Sequence, residues 1–359
     1  MDDVNRLKRA HQDHVDVLDV ITCYERWNLE TLATIRNLPL PVELQRALNI
    51  HVEPNAQRIR VNYTTCKGDS KGRVYGKIVY HSERYKKRKI ERDGAYIYEA
   101  DDHPSEEDTN GGDGLQRLSG WVRRLVAHEY YRDYDMCNCA PTLLQQILER
   151  VNLCPPELIA YNTERDTLFK KYAHIGTPSV IKRAFLVVLH MGGDNLRIPE
   201  TGKLKWSLKA KLAALATLND DYRATYERCE KACEQESKKA KKSYLRGNKE
   251  AMRATSLGKF CAVVWNREEH RVLMTMRDYF VEREGYDRRH MVLCFDGIMV
   301  EKKVPEGKPV DLAALSDYIE EQTSFRVKVE EKSMLPTDKD KAILRGEIPV
   351  VYKQKLNYA

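Results

Sequence analysis

The amino-acid sequence predicts an α+β fold, in which antiparallel strands and helices occupy separate stretches of the chain. Residues 57–99 are rich in tyrosine and valine between glycine-bearing turns, as strands and hairpins are. The stretches on either side carry apolar residues at helical spacing. Further along, the apolar segment Met291–Val300 is interrupted by Asp296-Gly297, which predicts a second hairpin.

Composition sets broad limits on the class of protein. The 359 residues are 42% hydrophobic and carry a net charge of +7, which leaves room for two domains and permits a polyanionic partner. No run of 18 apolar residues and no apolar leader-like segment is present, so we expect a soluble intracellular protein without a membrane partner. The nine cysteines include no CxxC pair, which favours reduced thiols over a zinc site.

The N-terminal region is predicted to be helical over residues 1–50, with Val15, Leu18 and Ile21 among its apolar positions, and β-rich from about residue 57. An acidic, glycine-rich stretch over 101–114 contains no apolar residue and is the best candidate for a linker. The sequence therefore predicts two parts, residues 1–110 and residues 111–359.

The second part is predicted to alternate helices with short strands. Its predicted elements are a strand at about 130–136 between two helices, charged helices over 205–253, a helix over 266–284, the hairpin, and a last helix followed by the strand Phe325–Val329.

Three carboxylates are the main candidates for chemistry. Asp133 and Asp135 are two residues apart on a predicted strand, so their side chains share a face, and Asp296 interrupts an otherwise apolar hairpin. Like charges held close together are tolerated around a cation, so these residues are candidate catalytic residues and ligands of two Mg²⁺ ions, with Mn²⁺ as a substitute. A simpler interpretation stays open: Asp-Gly is a common hairpin turn, and Asp-Tyr-Asp suits an exposed edge or a helix cap.

A predicted helix after Thr177 carries candidates for triphosphate binding. Lys182 and Arg183 begin this helix, where a cation is unfavourable beside the helix dipole unless an anion is bound. His190 lies two turns further on the same face, facing a nucleotide or, equally well, the core. The glycine pair Gly192-Gly193 is expected to end the helix and is not a phosphate loop.

Together these motifs resemble those of the transposon–virophage polymerases, which are related to family A DNA polymerases and to single-subunit phage-type RNA polymerases. The resemblance covers residues 115–335. It rests on the following ordered motifs: Asp133-x-Asp135-x-x-Asn138-x-x-Pro141, Arg165, Lys182 with the glycine pair, Phe295-Asp296-Gly297 and Lys332-x-Met334.

The resemblance implies a right-hand polymerase, with an antiparallel palm sheet, helical fingers and thumb, and the β-rich N-terminal region added to it. Asp296 and either Asp135 or Asp133 would hold the metals, with Asp135 favoured because Pro141 follows it at a familiar spacing. The nucleotide-binding residues implied are Lys182, Arg183, Arg165, Asn138 and His190. Arg123 and Arg124, just before the first strand, would contact nucleic acid.

The sequence departs from the family pattern in the neighbours of these residues. Phe295 and Gly297 replace the histidine and glutamate usual around the second aspartate of family A, and Pro178 replaces an arginine usual before the fingers lysine. Small Ala140 stands near the position of the residue that excludes ribonucleotides, which leads to the hypothesis of weak sugar discrimination and hence primer synthesis.

Basic residues suggest contacts with nucleic acid elsewhere. Arg84, Lys86, Lys87, Arg88 and Lys89 surround Tyr85 in a predicted hairpin, an arrangement suited to phosphate contacts. The second run, Lys238–Lys242, is interspersed with acidic neighbours and is better explained as a solvated helix face.

The sequence therefore predicts a DNA polymerase or primase-like nucleotidyltransferase, acting on a DNA primer–template or single-stranded DNA with nucleoside triphosphates. A separate helicase is an expected partner, and the nucleus and a cytoplasmic viral replication site are not distinguished. Two alternatives remain: a catalytically weakened, nucleic-acid-binding accessory protein of a virus or mobile element, and a different two-metal enzyme such as a nuclease.

Overall fold

The structure is a computed structural model that describes residues 21–49, 58–65, 74–78, 90–92, 95–97, 113–238, 245, 247–303 and 309–350. Its contacts divide the chain into two compact units. The first comprises residues 1–135, 273–315 and 329–354, and the second comprises residues 136–272, 316–328 and 355–359. The division predicted at residue 110 falls inside the first unit.

The first unit begins with an antiparallel sheet of β1 (Ile21–Glu25), β2 (Ile59–Thr65) and β3 (Val74–Ile78), in that order. The prediction of a helix through Ile21 is wrong, because residues 21–25 pair along their whole length with β2, from Ile21↔Tyr63 to Glu25↔Ile59. The predicted strands are confirmed where the structure describes them, including a small hairpin of β4 (Ile90–Arg92) and β5 (Ala95–Ile97).

Glu25 of β1 connects this sheet to the rest of its unit through hydrogen bonds. Its carboxylate is fully buried and accepts hydrogen bonds from Trp27 Nε1 at 3.0 Å, Tyr63 OH at 2.7 Å and the Leu115 amide at 2.8 Å. A buried carboxylate is tolerated only when its oxygens are satisfied, and these three donors provide that. The helices α1 (Leu29–Arg36) and α2 (Val42–Ala47) follow β1.

A second sheet of the first unit consists of β6 (Tyr131–Met136), β7 (Met291–Cys294), β8 (Gly297–Glu301) and β9 (Val329–Lys332). Its strand order is β7-β8-β6-β9, and β8 pairs antiparallel with both β6 and β7. Helix α3 (Gly120–Ala127) leads into β6, as predicted.

The second unit is built mainly of helices. They are α4 (Cys139–Glu149), α5 (Pro156–Thr163), α6 (Arg165–Lys171), α7 (Pro178–Leu189), α8 (Pro199–Leu218) and α9 (Asp220–Ser237). The remaining helices are α10 (Lys249–Glu282), longer than the predicted 266–284, α11 (Leu312–Thr323) and α12 (Asp338–Leu344) in the C-terminal part of the chain.

The predicted strand Phe325–Val329 is wrong, since β9 starts only at Val329. Buried Phe325 and Val327 alternate as in a strand, but the backbone finds other partners. The Arg326 amide donates to the Gln146 side chain at 2.9 Å, and the Arg150 guanidinium lies 3.9 Å above the Phe325 ring. The Gln146 side chain therefore replaces a neighbouring strand at Arg326, and the Lys328 carbonyl accepts from the Cys137 amide at 2.8 Å.

The mixture of helices with antiparallel sheets confirms the α+β class. Each cysteine that the structure describes is a free thiol. None of the described helices combines the length and the apolarity needed to cross a bilayer.

Candidate carboxylate site

Strand β6 and the β7–β8 hairpin bring the three predicted carboxylates together in the first unit. Asp133 pairs with Met299 and Asp135 with Gly297 across the β6–β8 ladder, so Asp296 stands immediately beyond the pair that contains Asp135. Asp133 is only 7% exposed. The two strand aspartates are on one face of β6, as the alternation of side chains requires.

The hairpin turn lies one residue earlier than the Asp296-Gly297 pivot that the sequence predicts. Cys294 and Gly297 close the β7–β8 ladder, so Phe295 and Asp296 are the two loop residues. Phe295 has a φ of 51°, whereas Gly297 is not among the glycines with positive φ. A positive φ at the first loop residue alone is the sign pattern of a type II′ turn, where a non-glycine residue is strained.

Gly297 is required for a different reason, which is the close approach of β8 to β6. A Cβ atom at this position would lie 2.5 Å from the Tyr134 carbonyl oxygen and 3.0 Å from Asp135 Cα. Two backbone atoms cannot move aside as a flexible side chain would. The glycine thus allows the strand bearing Asp135 to lie against the hairpin bearing Asp296.

Burial and mutual repulsion raise the pKa values of the strand carboxylates. Burial and then the charge of Asp296 raise the pKa of Asp135 to about 7, although its hydrogen bond to Lys332 acts in the opposite direction. Burial also raises the pKa of Asp133, against the lowering effect of Arg123 and Lys332. Removing carboxylates from water while placing them together favours the protonated form.

Two cations accompany the carboxylates. Lys332, on β9, donates a hydrogen bond to Asp135 Oδ2. Burial opposes its charge, but this bond and the nearby aspartates raise the pKa of Lys332 above its ordinary value.

The second cation, Arg123 on α3, lies mostly below the surface. Burial alone would lower its pKa, but electrostatic interactions with Cys294 and with the three aspartates raise it. Its Nη1 lies 3.9 Å from the buried Cys294 Sγ. Arg123 therefore interacts electrostatically with the three carboxylates. Its contact with nucleic acid stays a prediction.

The donor chemistry of this group suits a hard divalent cation. Three carboxylates supply only oxygen ligands, and burial raises the pKa values of Asp133 and Asp135, so a cation between them would favour their charged forms. As placed, however, no three acidic, histidine or cysteine side chains in the described part of the chain form a ready metal-binding group. Lys332 bonds Oδ2 of Asp135, so an ion shared with Asp296 would compete with Lys332 for the charge of this carboxylate.

An aromatic contact supports the strained turn. The Phe295 ring packs edge-on against Tyr75 of β3, with ring centroids 5.5 Å apart. Edge-to-face pairs stabilise by about 0.5–1.5 kcal/mol beyond the area they bury, comparable to the strain of one residue with positive φ. The N-terminal sheet therefore contacts the turn that carries Asp296.

The predicted triphosphate-binding residues lie on α7 in the second unit. The prediction that Lys182 and Arg183 begin the helix is wrong, because Pro178 begins it. Lys182 is therefore in the second turn, half-buried, and Arg183 is exposed. His190 caps the C-terminus of α7, and its ring lies 6.0 Å from that of Trp265. The helix ends through Met191, whose φ is 55°, and not through the glycine pair alone.

Asn138 and Arg165, also predicted to bind the nucleotide, have structural partners in the second unit. Asn138 precedes α4 with a φ of 52° and donates through Nδ2 to Asn162 Oδ1 at 2.8 Å. The Arg165 guanidinium lies 5.1 Å from the Phe169 ring centroid. Both the Asn138 Oδ1 and Arg165 Nε atoms are buried without a hydrogen-bond partner in the described part of the chain.

Arg124, predicted to contact nucleic acid, is engaged within the first unit. Its guanidinium donates two hydrogen bonds to buried Asp340, at 2.7 and 2.9 Å, and so fastens α3 to the capped start of α12. The five basic residues of the N-terminal hairpin, Arg84, Lys86, Lys87, Arg88 and Lys89, lie outside the described residues. So do Val15, Leu18, most of the Lys238–Lys242 run and most of the 101–114 linker.

The sequence pattern does not reveal the observed roles of Lys332, Tyr75 or Gly297. Lys332 belongs to the Lys-x-Met motif, but nothing local links it to Asp135, which is 197 residues away. Arg123 carried a usable signal, since a basic residue shortly before an acidic strand often balances its charge.

The comparisons with known proteins add no family. No protein-family model matches the chain, and no curated protein sequence is significantly similar to it.

Proposed function

We propose that this protein is a template-directed nucleic-acid polymerase that extends or makes a DNA primer by metal-dependent nucleotidyl transfer. The observation that carries the proposal is the Asp135↔Gly297 pairing, which sets the turn carboxylate of Asp296 beside the two carboxylates of β6. Two aspartates on a strand and one on an adjacent hairpin turn match the motif order that resembles transposon–virophage polymerases. The right-hand arrangement of palm, fingers and thumb is part of this proposal.

When bound, Mg²⁺ would supply Lewis-acid activation of the attacking 3′ hydroxyl and neutralise phosphate charge. The chain's own contribution begins with Asp133, Asp135 and Asp296 as ligands. Lys332 holds the Asp135 carboxylate in place and limits its repulsion from Asp296. Lys182, Arg183, Arg165, Asn138 and His190 keep their predicted role toward the triphosphate.

A second candidate is a polymerase-like accessory protein that binds nucleic acid without extending it. The hydrogen bond between Lys332 and Asp135 favours it, because an internal ammonium ion occupies a carboxylate that the enzyme would need for metal.

A primer-extension assay with Mg²⁺ or Mn²⁺ distinguishes the two candidates. Asp135→Asn and Asp296→Asn should each lower extension by about 100-fold or more, since each removes a ligand that stabilises the transition state by several kcal/mol. Asp317→Asn is the matched control, because Asp317 is an exposed carboxylate on α11 outside the cluster. Extension by both cluster variants at the wild-type rate would refute the catalytic assignment.

A thermal-shift titration provides a readout other than activity. Mg²⁺ should raise the melting temperature of the wild type and of Asp317→Asn, and should have less effect on the cluster variants. A wild type that binds primer–template, never extends it and gives no Mg²⁺-dependent shift would establish the accessory candidate instead.

A further inference from the structure

Trp206, on α8 of the second unit, presents its indole ring to solvent. The side chain is 78% exposed, whereas Trp27 and Trp265 are buried and Trp121 is partly buried. The opposite face of α8 supplies the apolar contacts of the helix, because Leu204, Leu208, Leu212 and Leu215 are all buried. The core therefore does not need Trp206, and a large exposed ring of this kind suggests a binding surface.

A slot lies beside the indole because Gly202 is four residues earlier on the same helix. Side chains of a helix lean toward its N-terminus, so the ring of Trp206 covers the turn that contains Gly202, where no side chain competes for the space. The depression has a volume of about 160 Å³ and is lined by Asp194, Gly202, Lys205, Trp206, Lys209 and Glu250. Sites for drug-sized molecules measure about 300–1,000 Å³, so this slot suits a single planar ring system.

Two lysines and two acidic residues line the slot in pairs, and a third lysine lies beside it. Lys205 Nζ lies 3.6 Å from Asp194, while Lys209 Nζ lies 3.0 Å from Glu250 and 6.0 Å from the Trp206 ring centroid. Lys203 is exposed, three residues before Trp206, and has no side-chain partner within the described ranges.

The helix as a whole is also basic. Helix α8 contains four lysines and one acidic residue, Glu200. The Glu200 carboxylate accepts hydrogen bonds from Lys171 and Tyr172. Positive charge around an aromatic surface is the combination that single-stranded nucleic acid requires, with bases on the ring and phosphates on the cations.

We propose that the Trp206 slot binds an unpaired base of single-stranded nucleic acid, which stacks on the indole while Lys203 contacts a flanking phosphate. Lys205 and Lys209 border the base, and Asp194 and Glu250 balance their charge. Every base has a π face, so binding would tolerate any sequence, and a duplex would be excluded because its bases are already stacked. The lysine border fits a protein partner less well, since a protein interface needs a larger apolar centre. This proposal does not depend on catalysis by the carboxylates.

Tryptophan fluorescence of the full chain tests the proposal in the presence of EDTA, with oligo(dT) as the probe. Oligo(dT) should quench the fluorescence of Trp206 and protect this residue from quenching by acrylamide. The fluorescence of Trp206 is identified as the part of the wild-type emission that is missing in Trp206→Phe. Trp206→Ala should weaken binding about 5- to 150-fold, the fold-change that matches about 1–3 kcal/mol of stacking per base, while Trp206→Phe retains most of the affinity. Since the ring is exposed, none of these variants should disturb folding.

The controls separate stacking from general attraction to the basic surface. Lys203→Glu should weaken binding and flatten its salt dependence, and a duplex of equal length should leave the fluorescence of Trp206 unchanged. The proposal is overturned if bound oligo(dT) leaves Trp206 fully accessible to acrylamide. It is equally overturned if Trp206→Ala binds within twofold of the wild type.

Discussion

Replacing Gly297 with alanine tests the central geometric argument, that β8 can lie against β6 only without a side chain at this position. The new Cβ would sit 2.5 Å from the Tyr134 carbonyl oxygen and 3.0 Å from Asp135 Cα. Both are backbone atoms, so the strands must separate. We expect the variant to lose stability and to displace Asp296 from Asp135.

The size of the effect follows from known costs of overpacking. Forcing an extra methyl group into a packed site costs about 1–3 kcal/mol. The first unit has about 200 residues, and a unit of that size loses about 2–4 °C of melting temperature per kcal/mol. Gly297→Ala should therefore melt about 2–12 °C below the wild type, as measured by calorimetry.

Gly193→Ala is the matched control. A Cβ at Gly193 would meet nothing within 4 Å, and the residue does not have a positive φ. Alanine at such a site changes stability by about 0.4–1 kcal/mol, in the favourable direction, because it restricts the unfolded chain. A Gly297→Ala protein that melts within about 1 °C of the wild type would refute the argument that the strands are in backbone contact.

Three further predictions concern the charges of the site and one helix end. In EDTA, the stability of Asp135→Asn relative to the wild type should increase from pH 4 to pH 8 in denaturant titrations. The pKa of Asp135 is raised to about 7, so the protonated carboxyl stabilises the wild type at acidic pH and this stabilisation is lost as the pH rises through 7. The asparagine variant lacks this loss. No change in the difference across this range would contradict the assignment. Lys332→Met should be less stable than the wild type in EDTA by roughly 1 kcal/mol, the contribution of a partly exposed ion pair. Mg²⁺ should raise the melting temperature of this variant more than that of the wild type in thermal-shift assays. An equal Mg²⁺ shift in both proteins would count against competition between Lys332 and metal. Ser324→Gly should stabilise the protein by about 1 kcal/mol in denaturant titrations, because exposed Ser324 ends α11 with a φ of 59°, and a loss of stability would contradict this.

The fold class and most elements of the core could be predicted from the sequence. The strand at 131–136 and the hairpin at 291–301 have local signals, namely side-chain period and turn residues. The helix at 178–189 was also predicted, but with a start four residues too late, at Lys182. The errors occurred where partners distant in sequence decide the conformation. Residues 21–25 form a strand because β2 pairs with them, whereas the Gln146 side chain binds both backbone groups of Arg326 and β9 starts only at Val329.

For the candidate site, the sequence by itself identified the candidate residues: two aspartates with a shared face and a third at the hairpin. Only the tertiary structure decided the turn register, the reason for Gly297 and the presence of Lys332 at Asp135. It also decided the raised pKa of Asp135, which depends on burial and on Asp296. Side-chain alternation is a local property of the chain, whereas strand register, burial and charge pairing depend on contacts between segments far apart in sequence.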